Sequence, residues 1–139
     1  MNSLPIRKNI HLTGYDYSSN GYYFITVCAK DRRLYNENQD TIKEVLHSLP
    51  GRFSGLSLDY SVIMDDHVHA IMVLEGSEKT MGEIIRQFKA LVTVKTNLKG
   101  IWQKGYYEHI IRNEQALHKI REYIHNNPLV ARLEFEQFY

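Results

Sequence analysis

Hydrophobic and polar positions along the chain follow two rhythms, and their succession predicts seven elements. Residues 21–29, GYYFITVCA, are aromatic and β-branched and follow the turn-like Ser18, Ser19 and Asn20, which predicts a buried strand. Thr41 and Glu44 have the spacing of a capping box, with apolar Ile42, Val45, Leu46 and Leu49 behind it. That pattern predicts an amphipathic helix ending near Pro50 and Gly51. Residues 56–64 and 67–74 read as two strands, and Asp65 and Asp66 between them as the tight turn of a hairpin. A second capping box, Thr80 to Glu83, opens a helix predicted to reach about Leu98, with Met81, Ile84, Ile85, Phe88, Leu91 and Val92 at helical spacing. Residues 106–111 form a fourth candidate strand. Asn113 then caps a last helix, 114–126, which Pro128 stops because proline disfavours helical geometry in the residue before it.

The order strand, helix, strand, strand, helix, strand, helix predicts an α+β fold. The first six elements match a ferredoxin-like split βαβ sandwich, an antiparallel sheet covered by two helices, with a C-terminal helix added. No repeat, linker or low-complexity tract interrupts the 139 residues, so one domain spanning 1–139 is expected. Cys28 is the only cysteine, which excludes an intramolecular disulfide and a zinc site built on paired cysteines. No apolar run is long enough to cross a bilayer, and residues 1–11 lack the apolar stretch of a signal peptide. The expectation is a soluble, cytoplasmic protein with no membrane partner. The net charge of +1 is unevenly spread: residues 34–78 carry −6 and residues 79–132 carry +6. A basic face toward a polyanion is one reading of that asymmetry, and a solvated surface is the other.

Candidate chemistry begins with His67 and His69. On a strand, side chains alternate, so both imidazoles share one face while Val68 points to the other. Two imidazoles so close on a rigid strand suit a metal ion, although two hydrogen-bonded histidines are the commoner meaning of such a triplet. Tyr123 and Asn127 are four residues apart and fall on one helical face, beside the apolar stripe of Leu117, Ile120 and Ile124. Two histidines and an asparagine make a neutral N,N,O set suited to Mg²⁺ or Mn²⁺, with a phosphate supplying the negative charge. A phenol beside that ion could attack phosphorus. The segment 102–112 interleaves Trp102 and Tyr107 with Lys104 and Arg112, a pattern that can stack bases and touch phosphates or simply form a strand edge. The stretch 9–17 has a similar basic and aromatic character. Arg86 and Lys89, on the polar side of the second long helix, are further candidates for phosphate contacts.

The His67-Val68-His69 strand preceded by Val62, Ile63 and Met64, the segment WQKGYYEHIIR and the helix end YIHNNP resemble, in this order, the single-tyrosine HUH transposases. The similarity is to the branch associated with repetitive extragenic palindromes, and it runs from about Arg7 to Leu133. It implies metal-dependent cleavage of single-stranded DNA near a hairpin, with His67, His69 and Asn127 as metal ligands and Tyr123 as nucleophile. The implied step forms a 5′-phosphotyrosine link and frees a 3′-OH, and its reversal joins strands. Relatives of this kind act as dimers or as monomers, so a homodimer is possible. Two other classes fit less well. A histidine-triad hydrolase needs a third histidine where this chain has Ile71. A metal-binding regulator without a nucleic acid partner leaves the basic 79–132 segment unexplained. A non-catalytic hairpin-binding module of the same fold is the remaining alternative.

Overall fold

The computed structural model describes residues 20–126. Eight elements follow one another: β1 (Gly21–Cys28), α1 (Arg32–Glu37), α2 (Gln39–Arg52), β2 (Leu56–Ile63), β3 (His67–Leu74), α3 (Met81–Thr96), β4 (Tyr107–Ile111) and α4 (Glu114–Asn126). The sheet order is β2-β3-β1-β4, and every neighbouring pair is antiparallel. This is the split βαβ arrangement that the order of elements predicts. Asn127, Pro128 and the 9–17 stretch lie outside the described residues.

Side-chain alternation gives the sheet two different faces. One face carries Tyr23, Ile25 and Val27 from β1 and Val68, Ala70, Met72 and Leu74 from β3. The apolar sides of α2 (Ile42, Val45, Leu46, Leu49) and α3 (Ile84, Ile85, Phe88, Val92) close over it. The opposite face carries Phe24, Ile71 and Ile111, and Leu117, Ile120 and Ile124 of α4 pack there. Burying three such side chains contributes about 1.5–3 kcal/mol each, enough to seat a helix of this length. Adjacent residues of one strand therefore serve a helix layer on one side and the functional face on the other.

Local chemistry explains most boundaries. Thr80 accepts the Glu83 N–H at 3.2 Å and starts α3. Glu83 does not reach back as a capping box would. Its carboxylate takes Arg86 and Gln87 instead, at distances from 2.5 to 3.0 Å. Asn113 accepts the Ala116 N–H at 2.8 Å and starts α4, as its position predicts. Asn97 ends α3 in the left-handed conformation at φ 56°, one residue short of the expected Leu98. Gly55 has φ +84°, and a Cβ there would lie 2.6 Å from the Glu75 carbonyl, so only glycine fits this turn into β2.

One expectation needs correction. The Thr41 capping box does not form, because helical structure starts earlier: Asp31 caps α1, and Asn38 links α1 to α2, its backbone N–H donating to the Tyr35 carbonyl and its side-chain amide to the Leu34 carbonyl. Thr41 therefore lies inside a helix. Helix α2 ends at Arg52, next to the expected Pro50 and Gly51, with Pro50 in its last turn. A proline in the last turn removes one backbone bond, and buried Leu49 and Phe53 hold the chain in place past it.

Candidate functional site

The α4-bearing face of the sheet positions the predicted chemistry. His67 and His69 lie on central strand β3 and are 6% and 0% exposed. Their Nε2 atoms stand 3.1 Å apart, and their rings meet edge to face with centroids 4.5 Å apart. Each Nδ1 has its own neighbour: the Asp66 carboxylate at His67 and the Thr26 hydroxyl, at 3.1 Å, at His69. A carboxylate only accepts, so His67 donates from Nδ1, and in the neutral ring its Nε2 lone pair faces His69. In a neutral pair, His69 then donates from Nε2 and receives the Thr26 hydroxyl proton, or both lone pairs converge on a cation. Two nitrogens at about 2.1 Å from an octahedral ion, on adjacent vertices, are about 3.0 Å apart. The observed separation fits that geometry, and the imidazole donors fit Mn²⁺ or Mg²⁺ better once oxygen ligands complete the set. Among the described residues no group of three His, Cys, Asp or Glu side chains could hold a metal, so an ion at this pair would need a further ligand of another kind or from outside the described residues.

A second tier of contacts fixes the turn that delivers His67. Tyr35, fully buried, donates its hydroxyl to the His67 carbonyl at 2.8 Å. Burial, and then the nearby Asp66 and Asp65, push its phenol pKa up, so this donor stays protonated. Asn36 donates to the Asp65 carbonyl at 2.8 Å, Arg32 pairs with the Asp65 carboxylate, and the Ala29 N–H donates to the Asp66 carbonyl at 2.8 Å. The short helix α1 thus braces the turn at Asp65 and His67. Neither α1 nor this role follows from periodicity, since Tyr35 is the only buried residue of the helix.

Tyr123 is partly buried on α4 against the cluster of Phe24, Ile71, Ile111, Leu117, Ile120 and Ile124. Phe24 also touches the histidine pair, its ring centroid lying 5.1 Å from that of His69. The tyrosine and the two histidines therefore share one face of the sheet, joined through Phe24. His109 pairs with Phe24 across the β1–β4 ladder, and Tyr107, 58% exposed, pairs with Thr26. Both extend this face toward solvent.

The remaining predicted contacts divide. Lys104 and Arg112 are exposed near the two ends of β4. Trp102 is half-buried, its ring 5.6 Å from Tyr35 and 5.5 Å from Phe88, so it packs chiefly against the core. Lys89 donates to the Gln103 carbonyl at 2.9 Å and to the Gly105 carbonyl, and burial lowers its ammonium pKa. It anchors the loop before β4. Arg86 is exposed and bound to Glu83.

A split βαβ sandwich with paired histidines on a central strand, and a tyrosine-bearing helix across the same face, is the architecture of a single-tyrosine HUH domain. The chain belongs to the IS200-like transposase family, whose sequence profile matches residues 17–127. It is 32% identical to an uncharacterised protein of Haemophilus influenzae, over 89% of each chain. It is 27% identical to a REP-associated tyrosine transposase of Escherichia coli, over 81% of this chain and 69% of that one. The fold matches that of a REP-associated tyrosine transposase solved with a REP hairpin, with a TM-score of 0.70, 24% identity, and coverage of 88% and 73%. No helix among the described residues is long and apolar enough to cross a membrane.

Proposed function

We propose that the chain is a metal-dependent nuclease and strand transferase acting on single-stranded DNA beside a hairpin. The observation that carries this reading is the buried, convergent Nε2 pair on the face that α4 shares through Tyr123. His67 and His69 would hold Mg²⁺ or Mn²⁺. Asn127, outside the described residues, joins them on the strength of the motif. When bound, the ion supplies positive charge beside the scissile phosphate.

The protein's own part is placement. Asp66 and Thr26 fix the imidazoles, Tyr35 fixes the strand end, and α4 presents the phenol. A phenol ordinarily keeps its proton to about pH 10, so attack requires a cationic neighbourhood that favours the phenolate. The Tyr123 oxygen bonds to phosphorus, the bond from phosphorus to the 3′-oxygen breaks, and the phenolic proton leaves. The products are a 5′-phosphotyrosine and a free 3′-OH. Attack by a 3′-OH reverses the step, so bond energy is conserved and strands can be rejoined. Exposed Tyr107 beside Thr26 offers a surface on which a base can stack, and Lys104 and Arg112 offer charge to the backbone.

The test separates binding from chemistry. His67→Ala is expected to abolish cleavage of a hairpin-bearing single strand while hairpin affinity stays within about threefold, since backbone contacts dominate such binding. Parallel loss of both would mean that His67 is structural and that the reading is wrong.

A further inference from the structure

Helix α4 is fastened to the edge strand β2 at two successive residues. Arg121 grips the Asp59 carboxylate with two bonds, Nε to Oδ2 at 2.8 Å and a second nitrogen to Oδ1 at 2.5 Å. Tyr60 hydroxyl meets His125 Nδ1 at 3.3 Å. Neighbours on a regular strand point to opposite faces, so Asp59 and Tyr60 could not both reach one helix. They do so because the β2–β3 register shifts between Leu58 and Tyr60, placing Asp59 in a bulge that re-aims its side chain. The Asp59 side chain is 18% exposed, which shields the pair more than a surface ion pair.

The direction of the contacts matters. One turn along α4, from Arg121 to His125, moves the contact from Asp59 to Tyr60, toward the end of β2 where Val62 pairs with His69. The helix therefore advances toward the histidine pair. At 100° per residue, Arg121 and His125 occupy one flank of α4 and Tyr123 the other, with Ile120 and Ile124 between them. Gripping the first flank sets the rotation and advance of the second.

We propose that Asp59, presented by the bulge, is a positioning residue that sets Tyr123 against the histidine pair through the grip on Arg121, with Tyr60–His125 as a second point of contact. The apolar cluster already seats α4 on the sheet; the grip selects one rotation and one advance among those that cluster tolerates. This rests on Tyr123 being the nucleophile. Small displacements of a reacting atom are costly, about a hundredfold for about 1 Å, so partial loss of the grip is expected to slow the reaction about tenfold.

The experiment uses the full chain with Asp59→Ala, Arg121→Ala and the charge exchange Asp59→Arg with Arg121→Asp. Two quantities are read: amide hydrogen exchange in 114–126, and single-turnover formation of the DNA–tyrosine adduct at saturating hairpin oligonucleotide. Faster exchange confined to α4 is expected in both single variants. A roughly tenfold slower adduct is expected with unchanged hairpin affinity, and the exchange variant is expected to recover most of the rate. Unchanged exchange in α4 would overturn the latch, whatever the adduct assay gives. Faster exchange with a normal adduct rate, equal losses of rate and affinity, or no recovery on charge exchange would overturn its role in positioning. If wild-type protein forms no adduct although α4 loosens as expected, the nuclease reading of Tyr123 fails and the positioning role falls with it.

Discussion

Replacing Thr26 with valine probes the histidine pair without touching either imidazole. Valine keeps the branched shape of threonine and loses the hydroxyl. That hydroxyl lies 3.1 Å from Nδ1 of His69, in a site where Thr26 is 3% exposed and His69 is 0% exposed. Removing one member of a buried hydrogen-bonded pair costs about 1–3 kcal/mol, which lowers the melting temperature of a domain this size by roughly 2–10 °C. A second effect follows from orientation. The Thr26 hydroxyl holds the ring so that Nε2 faces its partner across 3.1 Å. Loss of a group that orients a metal-binding histidine typically weakens metal binding about 10–100-fold. Mn²⁺ titration by calorimetry or electron paramagnetic resonance, well below the melting temperature, reads this second effect on folded protein. Thr26→Ser keeps the hydroxyl and is expected to bind Mn²⁺ within about threefold of wild type. Mn²⁺ affinity in Thr26→Val within about twofold of wild type would refute the orienting role. Equal weakening by serine would do the same, since packing alone would then explain both.

Three further outcomes are expected. Tyr35→Phe removes one of two donors to the His67 carbonyl and leaves the Met64 N–H at 2.8 Å, so it should cost only about 1 kcal/mol in urea denaturation; a loss of several kcal/mol would show that α1 depends on this bond. The hydrogen bond from Arg86 holds the Glu83 carboxyl at about 2, below its ordinary value, so Glu83 contributes stability above the unfolded-state pKa of about 4.5 that is lost as pH falls toward about 2. Glu83→Gln should therefore flatten this part of the acid limb in a pH series of thermal melts, and an unaltered limb would contradict the assignment. Gly55→Ala, with its Cβ 2.6 Å from the Glu75 carbonyl, should destabilise by at least about 1 kcal/mol, and a neutral result would mean the turn can open freely.

The large features of the fold are legible in the sequence because burial imposes them. The apolar runs 21–29 and 67–74 stand out because β1 and β3 are buried on both faces, the 3.6-residue rhythm of α3 and α4 follows from one buried face of each helix, and the order of elements then restricts the topology. Thr80 and Asn113 mark helix starts through chemistry local to a few residues. What stays hidden depends on the third dimension. Helix α1 has no periodic signal, since Tyr35 is its only buried residue and its value lies in contacts with Asp65 and His67. The run 39–52 conceals its true start because Thr41 and Glu44 imitate a cap inside a helix. The bulge at Asp59 leaves the apparent alternation of β2 intact, so the grip on Arg121 cannot be read before the register is known. Within the site, the spacing of His67 and His69 shows that they share a face, and the helical wheel leans Tyr123 toward the sheet. The partners Thr26 and Asp66 emerge only from cross-strand pairing and the turn. Residue type alone suits Trp102 and Lys89 to nucleic acid, because aromatic and basic residues look alike whether they stack on a base or pack against a core; the contacts of Trp102 with Tyr35 and Phe88, and of Lys89 with backbone carbonyls, come from the fold.

The central claim is that Tyr123 attacks DNA with help from an ion at His67 and His69. The most direct measurement is denaturing electrophoresis of the protein after incubation with a labelled single-stranded hairpin oligonucleotide from the DNA flanking its gene, with Mn²⁺ or Mg²⁺ and with chelator, beside Tyr123→Phe. A covalently shifted band that requires both the metal and Tyr123 is the predicted result. Tight binding of the hairpin by wild-type protein with no shifted band under any metal condition would contradict the account and leave a hairpin-binding module.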